Sequence, residues 1–207
     1  MPNKSNEFSL VRSPPPNSTF ALSIKKLHNK ILVLSVMRIL SDFRLLLLGV
    51  WIGAACFLSF AVAPSAFAVL PSREAAGAMV NQTLAILNYS GIVISLILLA
   101  SSYLPKNDFS RAWLWIERIL LLLTAAACAF GQFFVGWKLQ NLRAEIGRPL
   151  EELAAEDPLR IAFNNLHGQS VTVLSVAMIA ALIAFFLIAR RARNYEKNQL
   201  KTNVEFH

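Results

Sequence analysis

Hydrophobic positions in this chain gather into four long uncharged stretches, 45–72, 75–104, 119–137 and 161–189, separated by short polar gaps. Each holds at least 19 residues without Asp, Glu, Lys or Arg. About 20 mainly apolar residues cross the hydrocarbon core of a bilayer as a helix, which satisfies its own backbone N–H and C=O groups where water is absent. The pattern predicts an all-α polytopic membrane protein: a four-helix bundle with spans near 43–63, 75–104, 115–137 and 162–190.

Local signals mark the ends of these elements. Pro64 lacks an amide to continue the helical ladder, so the first span is expected to stop beside it. Ser72 suits the N-cap of span two, and Asp157-Pro158 supplies an N-cap and a first helical residue for span four. Trp115 and Trp137 lie 22 residues apart in span three. At ~1.5 Å per residue they are about 33 Å apart, near the hydrocarbon thickness, and read as interfacial anchors. Leu139, Leu142 and Ile146 carry that helix onward until Gly147 caps it. Pro149, Glu151 and Glu152 then fit the first turn of a short helix, where negative charge suits the dipole.

Upstream of the spans, residues 1–19 contain Pro14-Pro15-Pro16 and read as disordered. Residues 20–42 read as a basic amphipathic segment. Phe20, Ile24, Leu27, Ile31 and Leu34 share one face, while Lys25, Lys26, Asn29 and Lys30 lie largely away from it. Ala61-Val62-Ala63 imitates a signal-peptide cleavage site, but the apolar stretch is too long and starts too late to be a cleaved leader. The domain plan is thus an arm (1–42), a membrane domain (43–190) and a basic tail (191–207).

Composition agrees: 56% of residues are hydrophobic and 15% charged, leaving little chain for a separate soluble domain. The net charge of +8 gathers beside the spans rather than in an aromatic-interleaved groove, which argues for lipid and against nucleic acid. With both termini cytoplasmic, the inside segments hold 15 Lys/Arg and the outside loops 5. That excess predicts this orientation in a cell membrane, such as a bacterial inner membrane. The expected partners are the bilayer, anionic lipid at the basic termini, and a second copy or another membrane protein. Gly49-x-x-x-Gly53 and Ala127-x-x-x-Gly131 offer the close-approach surfaces such packing uses. Cys56 and Cys128 fall within spans and read as small packing residues.

Candidate chemistry lies on polar faces of spans two and four. Asn81 and Asn88, seven residues apart, face the same way. Asn164, His167 and Ser170 open span four, and the alternating topology places both groups at the outer leaflet. These five residues are expected to converge as a polar cluster. His167 reads either as a hydrogen-bonded structural imidazole or as a ligand-binding or proton-carrying group. Glu152 and Glu156 are four residues apart, but they and His167 do not establish a metal site; neither metal nor cofactor is predicted. No charged residue is expected deep within a span, which disfavours a carboxylate proton relay. No nucleophile elbow, zinc-protease pair, phosphate-binding loop or dinucleotide fingerprint occurs, so an enzyme is disfavoured.

Several fragments together resemble the transmembrane protein 205-like family. They are Gly53 through Phe57–Phe60, Val62-x-Pro64-x-x-Phe67-x-x-Leu70-Pro71, Ala76-Gly77, Leu142-Arg143 and Phe163-x-x-x-His167-Gly168-x-Ser170. The resemblance covers roughly residues 43–190 and implies a four-helix membrane domain without a defined reaction. It singles out Pro64, Phe67, Arg143, Phe163, His167 and Ser170. One family member's association with platinum-drug resistance points towards transport or trafficking. The expected function is non-enzymatic: partner packing or small-ligand handling at the outer polar cluster. An oligomeric small-molecule or metal transporter is the alternative, and a haem- or metal-binding redox protein the second.

Overall fold

The structure is a computed structural model that describes the backbone of residues 18–103 and 111–204. The described residues form helices without a strand: α1 (Ser18–Phe57), α2 (Ala63–Val69), α3 (Arg73–Ser101), α4 (Arg111–Phe130), α5 (Trp137–Ile146) and α6 (Pro158–Val204). The chain divides into two units, Met1–Ile39 and Leu40–His207. The expectation of disorder over residues 1–19 falls almost wholly outside the described residues, and the side chains of Phe20, Ile24, Leu27, Ile31 and Leu34 lie outside what is described, although their backbone belongs to α1.

Among the described residues, four helical segments are long and apolar enough to cross a membrane: Arg38–Val69, Arg73–Ser101, Ala112–Ile146 and Pro158–Asn194. Most of their side chains face outward, including Val50, Phe60, Ile86, Ile119, Phe133 and Phe186, as lipid-facing apolar residues do. The chain is therefore built as a multi-pass membrane protein.

The first span does not stop at Pro64. The helix widens into a π-turn at Leu58–Val62 and continues as α2, with Pro64 in its first turn. Widening changes which carbonyl each amide meets, and the proline's missing donor then falls where a helix start needs none. A second π-turn, Gly131–Gly136, joins α4 to α5.

The caps follow the residue chemistry. Ser72 Oγ accepts a 3.1 Å bond from Ala75 N, and Asp157 Oδ1 accepts one of 2.8 Å from Leu159 N. Gly147 adopts φ +60° and closes α5 by donating its N–H to Arg143 O, a left-handed cap that glycine takes without a Cβ penalty. Beyond it, Leu150–Glu152 forms a single 3₁₀ turn.

Small residues set the spacing of the bundle. Ala55, Ala177, Ala181 and Ala184 are fully buried in a core with Leu48, Trp51, Leu98 and Leu121. A Cβ on Gly49 would sit 3.4 Å from Phe185, so this glycine seats α6 within the chain. Gly131 similarly faces Val173 and Asn88, and Ala127 lies in the core. Gly53 differs: nothing lies within 4 Å of a Cβ placed there. Gly53→Leu is therefore expected to leave the melting temperature of the solubilised monomer unchanged, while Gly49→Leu lowers it by displacing Phe185. Equal losses would remove this distinction.

Candidate functional site

Buried positions on each helix recur in steps of three and four, the spacing of one helical face. On α1 they run Arg44, Leu48, Trp51, Ala55; on α4, Glu117, Leu121, Thr124, Cys128. On α3 the stripe is Asn88, Gly91, Ser95, Leu98, and Ser102 follows it beyond the helix end. On α6, Ala177, Ala181, Ala184 and Ile188 lead to Arg191, which is half-buried. Three stripes thus carry a charge at the same end of the bundle.

These charges meet. Arg44 Nη2 donates to Glu117 Oε1 in a short contact and also to Leu98 O at 3.2 Å. Arg191 Nη1 donates to the other carboxylate oxygen, Glu117 Oε2, at 3.2 Å. The Arg44 and Glu117 side chains are only 4% and 3% exposed, against 16% for Arg191. The three charges sit near the ends of their spans rather than deep within them, and there they are buried and paired. The charges lie just outside the uncharged stretches, yet their helices continue without a break and their register turns them inward.

Taking ions from water costs several kcal/mol each, and only well-directed partners offset it. Here one carboxylate binds two guanidiniums, leaving a formal excess of one positive charge. The C-terminal end of α3 supplies further acceptors: Leu98 O to Arg44, and Ser102 O and Oγ to Arg118, both at 3.0 Å. Cations suit the free carbonyls and negative dipole end of a helix. Arg118 also lies over the Tyr103 ring at 4.0 Å. Arg44 Nε and Ser95 Oγ are buried without a hydrogen-bond partner among the described residues.

A cleft of about 100 Å³ opens beside this centre, between the start of α4 and residues 187–194 of α6. Trp113, Leu114 and Glu117 form one wall, and Leu187, Arg190, Arg191 and Asn194 the other. The Arg190 guanidinium stands 5.8 Å from the Trp113 ring centroid. Among the described residues, no group of three or more His, Cys, Asp or Glu is placed to hold a metal ion.

The five polar residues singled out from the sequence differ in environment. Asn88 is buried, Asn81 and Ser170 are half-buried, and Asn164 and His167 are exposed. Among the described residues no hydrogen bond joins one member to another; Asn88 Nδ2 instead lies 3.5 Å from Gln132 Oε1, on the π-turn. The exposed His167 and Asn164 thus do not share Asn88's enclosed setting. Of the positions carrying the family resemblance, three come together. Arg143 Nη2 lies 2.9 Å from where a Gly77 Cβ would stand, and its guanidinium is 5.4 Å from the Phe163 ring centroid. Pro64 and Phe67 are exposed.

In the sequence these charges stand at the boundaries of apolar stretches, where solvated charges ordinarily lie, so composition alone does not reveal the centre. Their step of three or four from the first core residue, as in Arg44-x-x-x-Leu48 and Glu117-x-x-x-Leu121, was the available signal.

Residues 46–148 match a family model described as a domain of unknown function, DUF4149. The matched region contains Glu117, spans two and three and most of span one, but begins after Arg44 and stops before His167 and Arg191. Comparison with curated proteins gives no match, and neither does comparison with solved structures.

Proposed function

We propose that this chain is a non-enzymatic membrane protein that handles a small ligand at its charged end, beside Arg44, Glu117 and Arg191. The observation supporting this reading is the meeting of three spans' charges inside the bundle, next to a cleft that two of them line. Ionisable groups are rare at membrane depth and cluster where a ligand, ion or partner is handled. The site moves from the outer polar cluster expected from sequence to the opposite end, because burial and pairing concentrate there.

The cleft is far smaller than the ~300 Å³ at which pockets for drug-sized ligands begin, so the proposed ligand enters by one small polar group. The Lys/Arg excess favours the cytoplasmic side of a cell membrane for this end. Kinship with the transmembrane protein 205-like proteins is part of the same proposal, supported by the meeting of Gly77, Arg143 and Phe163.

Native mass spectrometry of gently solubilised protein tests the reading. Wild type is expected to carry a small non-covalent mass that is lost on Arg191→Ala, while Asn164→Ala and His167→Ala keep it. A ligand-free wild type, or a mass lost only with His167→Ala, would overturn the placement.

A further inference from the structure

The cleft between α4 and α6 has a cationic end, apolar walls and an aromatic lip. We infer that it binds the phosphate of an anionic membrane lipid, with Arg190 and Arg191 on the phosphate and Trp113 against the headgroup. This inference rests on the proposed ligand-handling role and names the chemical class of the ligand.

Charge comes first. Glu117 also faces the cleft, but both of its oxygens are taken by guanidiniums, Oε1 by Arg44 and Oε2 by Arg191. It therefore orients Arg191 and does not leave a free anion to repel a phosphate. A guanidinium offers five N–H donors in a planar fork matched to phosphate oxygens. Arg191 directs one nitrogen to Glu117 and keeps other donors, while Arg190 is exposed, with an aromatic ring beneath it. Asn194 adds an uncharged donor on the same wall.

Position and shape favour a lipid over free phosphate. Arg190 and Arg191 directly follow the uncharged stretch ending at Ala189, where a spanning helix leaves the hydrocarbon. Trp113 stands at the very start of the third span, in the zone where indoles sit among headgroups. Leu114 and Leu187 line the cleft, and the outward Ile183 and Phe186 extend the apolar surface along α6 for an acyl chain. Free phosphate would gain nothing from those walls.

The test uses full-length protein, delipidated in mild detergent and titrated with phosphatidylglycerol or phosphatidylcholine under native mass spectrometry. Wild type is expected to retain phosphatidylglycerol preferentially, and Arg190→Gln, which leaves the buried triad intact, to weaken that retention about fivefold. Trp113→Leu is expected to weaken both lipids. Arg193→Gln, an exposed cation on α6 outside the cleft, is expected to change nothing. An equal loss with Arg193→Gln would mean diffuse surface charge and overturn the site. Displacement of the lipid by millimolar inorganic phosphate would identify a free-anion site and overturn the lipid assignment. If phosphatidylglycerol shows no preference while another mass is still lost with Arg191→Ala, the headgroup inference fails and the ligand-handling role stands.

Discussion

Replacing Glu117 with Gln is expected to lower bundle stability by about 3–5 kcal/mol, more than any single surface change. The loss arises less from the missing attraction than from what remains behind. Arg44, with a side chain only 4% exposed, would keep its charge with only neutral acceptors as partners, Leu98 O and the amide oxygen of the new glutamine. Arg191 is more exposed and can turn its head towards the interface, as long cationic side chains near membrane-helix ends do. Removing both buried partners, Arg44→Met with Glu117→Met, is expected to recover most of the loss, since a packed apolar pair leaves no stranded charge. Thermal unfolding in detergent of wild type, the single variant and the double variant decides this. A single variant as stable as wild type would show that the triad does not hold the spans together.

Gly91→Ala carries the second-largest expected effect, about 1–3 kcal/mol from one added methyl. A Cβ there would stand 2.8 Å from both Cys128 Sγ and Trp51 Nε1, joining three spans at a single point. The Trp51 indole is rigid, 2% exposed, and donates to Leu87 O at 3.0 Å. To make room it must lose that bond or push α1 from α3, and a packed interior offers no slack for either. Trp51→Phe removes the clashing nitrogen at its own cost, so the added penalty of Gly91→Ala should shrink in that background. A double-mutant cycle reads the coupling directly. Additive effects would show that the crowding lies elsewhere.

Legibility in the sequence followed the range of the interaction. Ser72, Asp157 and Gly147 act on backbone groups within a few residues, and each caps the helix end its side chain or freedom from Cβ suits. Pro64 signals a stop by its missing amide, but the π-turn just before it lets the helix continue past it. Gly49 and Gly53 are indistinguishable in sequence, yet only Gly49 meets Phe185, more than 130 residues away.

By itself the sequence determined that this chain is helical and suited to the membrane. Twenty or so apolar residues in a row have no other way to satisfy their backbone in lipid, and that constraint needs no neighbour to enforce it. Only the tertiary structure decided which polar groups are buried and paired. Arg44, Glu117 and Arg191 stand beside the uncharged stretches like ordinary boundary charges, while Asn164 and His167 look like an intramembrane cluster. Helix register turns the first three towards one another and leaves Asn164 and His167 exposed. Register selects the neighbour that one helix meets on another, and that neighbour determines whether a charge is solvated or must be paired.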